Sequence, residues 1–151
     1  MTKTVSGSAL YLDTSCLLKL FFPEPESARV AAVLATEERV VVSELGRLEA
    51  ETQLRARRVG GLVSKAKYQR LANELAKTLA LAPFEVLPFP EDGFDRARSL
   101  AARAQVHCRT LDLLHVAAMD AAGVERLFTN DGTQASVAKA LGFEVRKASA
   151  G

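Results

Sequence analysis

The sequence predicts an α/β, three-layer fold, in which a central and mostly parallel five-stranded sheet carries helices on both faces. Three observations support this prediction. Short apolar runs alternate with longer segments of helical periodicity, which is the order that parallel strands joined by crossover helices require. The first of these runs, residues 9–12, is apolar throughout, as in a strand buried on both faces. No repeat or low-complexity linker interrupts the 151 residues, so we expect one domain over residues 1–151.

Composition excludes several classes of protein. Twenty basic and eighteen acidic residues give a net charge of +2, which is too small an imbalance to indicate disorder. The two cysteines, Cys16 and Cys108, cannot build a disulfide framework, as is typical of a reducing compartment. The N-terminus does not resemble a signal peptide, and no uncharged apolar run approaches the ~20 residues that span a bilayer. We therefore expect a cytoplasmic protein with no membrane contact.

The first predicted elements are a strand, two short helices and a second strand. Residues 9–12 are apolar and form a buried strand, and the helix over residues 15–22 ends before Pro23, because proline disfavours the α conformation in the residue before it. Alanines at helical spacing predict a helix over residues 24–37. Residues 39–42 are rich in β-branched valine, which favours a strand.

A helical hairpin and a third strand follow. Ser43 begins a long helix that ends at Gly60 and Gly61, consistent with a glycine C-cap. Leucines recurring every four residues predict the second helix of the hairpin over residues 64–81. The third strand covers residues 84–87 and is followed by Pro88.

The remaining elements continue the alternation. They are a helix over residues 91–105, a helix over 110–122 that Thr110 caps, a strand over 126–129, a short helix from 131 to 142 and a final strand over 143–145.

Four carboxylates are predicted to meet at one end of this sheet. Asp13 follows the first strand and Asp131 follows the fourth, and ligands of open parallel sheets bind outside the carboxyl ends of the strands. Asp112 lies in the first turn of its helix. Glu49 lies in the N-terminal half of the helix after the second strand.

Such a set of acids is typical of divalent-metal hydrolysis. Mg²⁺ and Mn²⁺ prefer carboxylate oxygens, and a bound cation relieves the repulsion between close carboxylates, activates water and stabilises a phosphodiester transition state. Each acid also has a structural alternative: a helix N-cap for Asp13, interaction with the helix dipole for Asp112, a turn for Asp131 and an exposed surface for Glu49. Position in the sequence leaves both interpretations open.

The residues around the acids carry a family resemblance. Four blocks stand out: LYLDTS with KLFFPE at 10–15 and 19–24, Ser43 followed six residues later by Glu49, DLLHVAA from Asp112, and TND ending at Asp131 before AKALGFEV. In this order they resemble the PIN-domain ribonucleases, and most of all the VapC-type toxins of bacterial and archaeal toxin–antitoxin pairs. The resemblance covers residues 10–145.

The resemblance implies the PIN fold and a metal-dependent endoribonuclease that hydrolyses RNA phosphodiesters. It also implies a homodimer, inhibited by a cognate antitoxin whose tail enters the active-site groove. Asp13, Glu49, Asp112 and Asp131 would be the catalytic residues and would hold one or two Mg²⁺ or Mn²⁺ ions. The expected products carry 3′-hydroxyl and 5′-phosphate ends.

Several further residues are assigned around this site. Ser15 and Thr129 are candidates to orient Asp131 or a metal-bound water, with capping of the adjacent turns as the alternative. His115 lies three residues after Asp112 on the same helix face and is expected to be a packing residue rather than a ligand. Cys16 is expected in the core, and Cys108 is not expected to act as a nucleophile.

The helical hairpin offers basic side chains for RNA phosphates. Arg55, Arg57 and Arg58 are predicted to bind the substrate by charge, with Lys65, Lys67 and Arg70 nearby. A solvated helix end, or a surface for the dimer or antitoxin, is the alternative. The low aromatic content limits base stacking.

Other functions fit less well. A haloacid-dehalogenase-type phosphatase also begins with a strand-end Asp, but it requires a second Asp two positions on, where this chain has Ser15. A flap-type DNA nuclease shares the acids but needs a helical arch that 151 residues barely allow. A non-toxin PIN-type nuclease and a non-catalytic PIN module that binds nucleic acid or protein stay open as alternatives.

Overall fold

One or two α-helices follow each of the first four strands along residues 8–149, which are the part of the chain that a computed structural model describes. The strands are β1 (Leu10–Leu12), β2 (Val40–Ser43), β3 (Phe84–Leu87), β4 (Arg126–Thr129) and β5 (Glu144–Lys147). The α-helices are α1 (Thr14–Leu17), α2 (Ser27–Leu34), α3 (Glu44–Val59), α4 (Lys65–Leu79), α5 (Gly93–Arg103), α6 (Thr110–Ala122) and α7 (Gly132–Ala140), with a 3-10 turn over Leu18–Leu20.

The five strands form one sheet in the order β3–β2–β1–β4–β5. Each neighbouring pair is parallel, so the predicted sheet is confirmed. The strand order reverses at β1, because β2 and β3 lie on one side of it and β4 and β5 on the other. In an open α/β sheet such a reversal leaves a crevice outside the carboxyl ends of the strands. Here the crevice lies beside the ends of β1 and β4.

The sheet separates two apolar layers, and β1 contributes to both. Leu10 and Leu12 pack with the buried side chains of α1–α4, whereas Tyr11 faces the cluster formed by α5–α7. This division follows from the period of two in a strand, which sends successive side chains to opposite faces. Cys16 is completely buried in the first layer, as predicted.

The element ends differ from the sequence prediction where local contacts decide them. The first predicted helix is a single α turn continued by the 3-10 turn, and the chain leaves it before Pro23. The second helix is shorter than predicted and begins at Ser27, whose hydroxyl accepts a hydrogen bond from the Glu24 amide. β5 extends to Lys147 because its pairing with β4 continues to Thr129.

The helix termini set the residues that surround the crevice. Ser43 and Ser64 cap α3 and α4 through their hydroxyls. The prediction that Thr110 caps α6 is wrong: Thr110 is the first helical residue, and Arg109 occupies the extended N-cap position without a side-chain capping bond. The Arg109 side chain is therefore free to contact other groups. Within residues 8–149 no helix is long and apolar enough to cross a membrane.

Candidate active site

A cavity of about 420 Å³ lies at the carboxyl ends of β1 and β4. Its lining contains all four of the predicted acids, Asp13, Glu49, Asp112 and Asp131. Asp13 follows β1 and caps α1, while Asp131 follows β4 and caps α7. Asp112 comes from the first turn of α6, and Glu49 from α3. Four elements that are distant in sequence thus bring their acids to one opening.

Asp13 is held in place by hydroxyl groups. It is 6% exposed, and its Oδ2 accepts hydrogen bonds from the Ser15 amide at 3.1 Å, the Ser15 hydroxyl at 2.6 Å and the Thr129 hydroxyl at 3.2 Å. Ser15 and Thr129 therefore contact the carboxylate of Asp13 and not that of Asp131. Thr129 reaches Asp131 only at its backbone amide, which donates to the Thr129 hydroxyl at 3.0 Å. Asp13 therefore both caps α1 and lines the cavity.

Glu49 is oriented by a buried chain of polar side chains. Its Oε1 accepts a hydrogen bond from the Thr14 hydroxyl at 3.1 Å and is bonded to Nε2 of His115. The other ring nitrogen of His115, Nδ1, is 2.7 Å from the Tyr11 hydroxyl, which donates to Ser43 at 2.8 Å. Burial raises the pKa of Glu49. The hydrogen bond to His115, the electrostatic effect of that ring and the hydrogen bond from Thr14 together lower the pKa by more, so it lies below the ordinary value of a glutamate.

His115 is thus more than the packing residue that the sequence predicts. It is 2% exposed and packs edge-on against Tyr11, yet it also lines the cavity and has Nε2 3.9 Å from Oδ1 of Asp13. Its spacing of three residues from Asp112 was the sequence signal for this position. The periodicity of α6 could not show that His115 faces the cavity, because that helix is buried on several sides.

Arg109 links the other two acids and was not predicted. Its guanidinium donates to both carboxylate oxygens of Asp112, at 2.8 and 3.1 Å, and to Oδ2 of Asp131 at 2.6 Å. Asp131 Oδ1 accepts the amides of Thr133 and Gln134 at the start of α7. Burial raises the pKa of Asp131, but Arg109 and the two amides outweigh it and lower the pKa.

The donor chemistry of the cavity suits a hard cation. Carboxylate oxygens are what Mg²⁺ and Mn²⁺ prefer, and Asp13 and Asp112 are 6% and 4% exposed. Buried carboxylates are costly unless a positive charge compensates them. As arranged among residues 8–149, no three acidic, cysteine or histidine side chains converge on one metal position; Arg109 and His115 lie against the acids instead.

The three arginines predicted to bind substrate lie elsewhere on α3. The last α3 residue in the cavity lining is Gln53. Beyond it, Arg57 stacks over the ring of Phe22, 3.9 Å from the ring centroid, and Arg55 lines a separate groove between α3 and α4. Arg58 does not line the cavity either, so the structure does not bring these side chains to the acids. Their part in binding RNA stays a prediction.

Comparison with known proteins identifies the family. Residues 10–140 match the family model described as the PIN domain. The chain is 34% identical over 140 residues to Ribonuclease VapC46 of Mycobacterium tuberculosis (strain ATCC 25618 / H37Rv). The alignment covers 91% of this chain and 96% of that protein. The chain belongs to the PIN domain family. The resemblance in the sequence is confirmed.

Solved structures share the fold of this PIN domain. VapC20 of Mycobacterium tuberculosis, described as a sarcin-ricin loop cleaving toxin, has a TM-score of 0.67 and 20% identity, over 89% of this chain and 95% of that one. VapBC2 from Rickettsia felis, bound to a promoter DNA fragment, has a TM-score of 0.67 and 16% identity, over 92% and 98%. The predicted fold class is confirmed.

The ion pair of Asp131 predicts acid sensitivity of this PIN domain. Because the pKa of Asp131 is lowered in the folded protein, the ionised carboxylate gives its full stabilisation above the ordinary pKa of an aspartate, about 4. This stabilisation is lost as the pH falls through the lowered pKa. Asp131→Asn keeps a capping side chain but cannot titrate. We expect its deficit in unfolding free energy, at most about 1 kcal/mol because the pair is partly exposed, to shrink toward about pH 3. Urea unfolding in EDTA measures it, and a deficit independent of pH would contradict the prediction.

Proposed function

We propose that this PIN domain is an endoribonuclease that hydrolyses RNA phosphodiesters with Mg²⁺ or Mn²⁺ and acts as the toxin of a toxin–antitoxin pair. The observation that carries the proposal is the convergence of four acids from β1, α3, α6 and β4 on one cavity. The 34% identity to a protein named Ribonuclease VapC46 supports RNA as the substrate.

In this proposal Asp13, Glu49, Asp112 and Asp131 hold one or two metal ions. The ions supply activation of water and neutralisation of the charge that develops on the phosphate. The protein supplies fixed orientation. Ser15 and Thr129 hold the Asp13 carboxylate, and Thr14 and His115 hold that of Glu49, so these two acids require little reorganisation.

A cognate antitoxin, a homodimer and a cytoplasmic location complete the proposal. A structural neighbour from Klebsiella pneumoniae is described as a toxin–antitoxin complex, with a TM-score of 0.57 and 20% identity. That description supports an antitoxin as partner. Expression in a bacterial host is expected to stop growth, and co-expression of a short antitoxin encoded beside this chain should restore it. Growth unaffected by the chain would favour a PIN nuclease that is not a toxin.

Chelation provides the direct test of the proposed reaction. The purified protein is incubated with total cellular RNA in Mn²⁺, in Mg²⁺, and in EDTA with and without added Mn²⁺. We expect discrete fragments with either metal, none in EDTA, and restored cleavage once Mn²⁺ exceeds the chelator, because four negatively charged acids cannot neutralise the charge that develops on the phosphate without a cation. Cleavage that persists in EDTA would contradict the metal mechanism. RNA binding without cleavage would support a non-catalytic module.

A further inference from the structure

Arg109 places a positive charge between two of the four site acids. The guanidinium contacts both oxygens of Asp112 and the Oδ2 atom of Asp131. The remaining oxygen of Asp131 accepts two amides at the start of α7. Three of the four carboxylate oxygens of these residues are thus bonded to one side chain. A metal ion that used Asp112 and Asp131 would need the same oxygens.

The burial of Asp112 explains why a cation belongs there when no metal is bound. Asp112 is 4% exposed, and the hydrogen bonds described for its carboxylate both come from Arg109. A buried carboxylate without compensation is strongly destabilising. A planar guanidinium matches a carboxylate with two parallel bonds, so Arg109 compensates the charge of Asp112 through the fork of its side chain.

Arg109 itself is placed so that it can leave. Its side chain is 48% exposed, and it lies at the N-cap position of α6 with extended backbone and no capping bond. Rotation of the side chain into solvent therefore breaks no helical hydrogen bond. The hydrogen bonds that hold Arg109 in the cavity are those to Asp112 and Asp131. A divalent ion would compensate these two carboxylates with twice the charge of the guanidinium.

We propose that Arg109 is a built-in counter-ion of the metal-free site, which pairs with Asp112 and Asp131 until a divalent cation displaces it. Metal binding is then an exchange. The apparent affinity for metal is the intrinsic affinity multiplied by the fraction of molecules in which Arg109 has left the two acids. The inference rests on the metal site of the proposed function and adds to it a residue of this chain that opposes loading.

Calorimetric titration with Mn²⁺ tests the exchange. The proteins are wild type, Arg109→Gln and Arg96→Gln. Arg96 is a matched control, because its guanidinium also bridges two aspartates, Asp92 and Asp120, but outside the cavity. We expect Arg109→Gln to bind Mn²⁺ at least about tenfold more tightly than wild type, and Arg96→Gln to bind it like wild type. An Arg109→Gln protein with unchanged or weaker affinity would overturn the inference.

Melting temperatures provide a readout that does not depend on activity. In EDTA, Arg109→Gln should melt below wild type, because Asp112 loses its counter-charge, and saturating Mn²⁺ should raise its melting temperature by more than it raises that of wild type. Arg109→Lys keeps the charge without the planar fork and should fall between the two in Mn²⁺ affinity. If neither wild type nor Arg109→Gln binds Mn²⁺, the metal site of the proposed function fails and the exchange fails with it. Equal binding by both proteins overturns the exchange alone.

Discussion

Asp13→Asn is expected to lower the rate of RNA cleavage by at least about a hundredfold while leaving the fold intact. Loss of groups that merely support metal ligands costs up to about a hundredfold in affinity or activity, and Asp13 is itself a proposed ligand. All three hydrogen bonds to its side chain end on Oδ2. An amide oxygen at that position keeps them, while the amide nitrogen replaces Oδ1 on the side nearest His115.

Folding of the Asp13→Asn protein should be close to wild type, because Asn caps a helix as well as Asp does. The measurements are the initial rate of cleavage of a labelled RNA in Mn²⁺ and the urea midpoint in EDTA. Asp95→Asn is the matched control, since it removes the same charge from an exposed position in the first turn of α5. Cleavage by Asp13→Asn at the rate of Asp95→Asn would remove Asp13 from the site.

His115→Ala is expected to reduce the unfolding free energy by about 2–4 kcal/mol. The substitution leaves a cavity in a closely packed layer and removes one of the two hydrogen-bond partners of the buried Tyr11 hydroxyl, which keeps its bond to Ser43. The lost hydrogen bond adds about 1 kcal/mol. Glu49 also loses the group that, with Thr14, fixes its Oε1. Cleavage should therefore fall even under conditions in which the variant is fully folded.

The two histidines of the chain provide the comparison. His107 is exposed in the segment between α5 and α6, and His107→Ala should change stability by no more than about 0.5 kcal/mol. Tyr11→Phe keeps the ring and removes only the hydroxyl, so it should cost about 1 kcal/mol. Urea unfolding in EDTA measures all three variants. Equal stability of His115→Ala and His107→Ala would contradict the structural role of the buried chain.

Much of the architecture could be predicted because it follows from local patterns. The buried strand at β1 and the alternation of strands with helices are visible as apolar runs and helical spacings, and parallel sheets place the residues after their strands at one edge. Asp13 and Asp131 could therefore be placed without coordinates. Glu49 was harder to place, since it follows no strand directly and was singled out by its spacing from Ser43.

The contacts that were not predicted join elements that are distant in the chain. Thr110 was predicted to be the N-cap of α6, which placed Arg109 one residue outside the cap. Arg109 is itself the N-cap, and its side chain reaches the cavity. The spacing placed His115 on the helix face of Asp112, but its hydrogen bonds to Glu49 and Tyr11 depend on how α6 meets α3 and β1. Arg57, which is predicted to bind RNA from its charge, also stacks on Phe22, a contact that joins α3 to the segment before α2; its part in RNA binding stays a prediction.

The sequence by itself determined the class of fold and the edge of the sheet at which the acids gather, because strand and helix periodicities and the order of elements are properties of the chain. Only the tertiary structure decided which basic side chains meet those acids. Arg109 reaches Asp131 because the start of α6 and the end of β4 meet at the cavity, and His115 reaches Glu49 because its ring lies beside the first turn of α3. Polar contacts of this kind form over a few ångströms between residues far apart in the chain, so they depend on packing that no local pattern specifies.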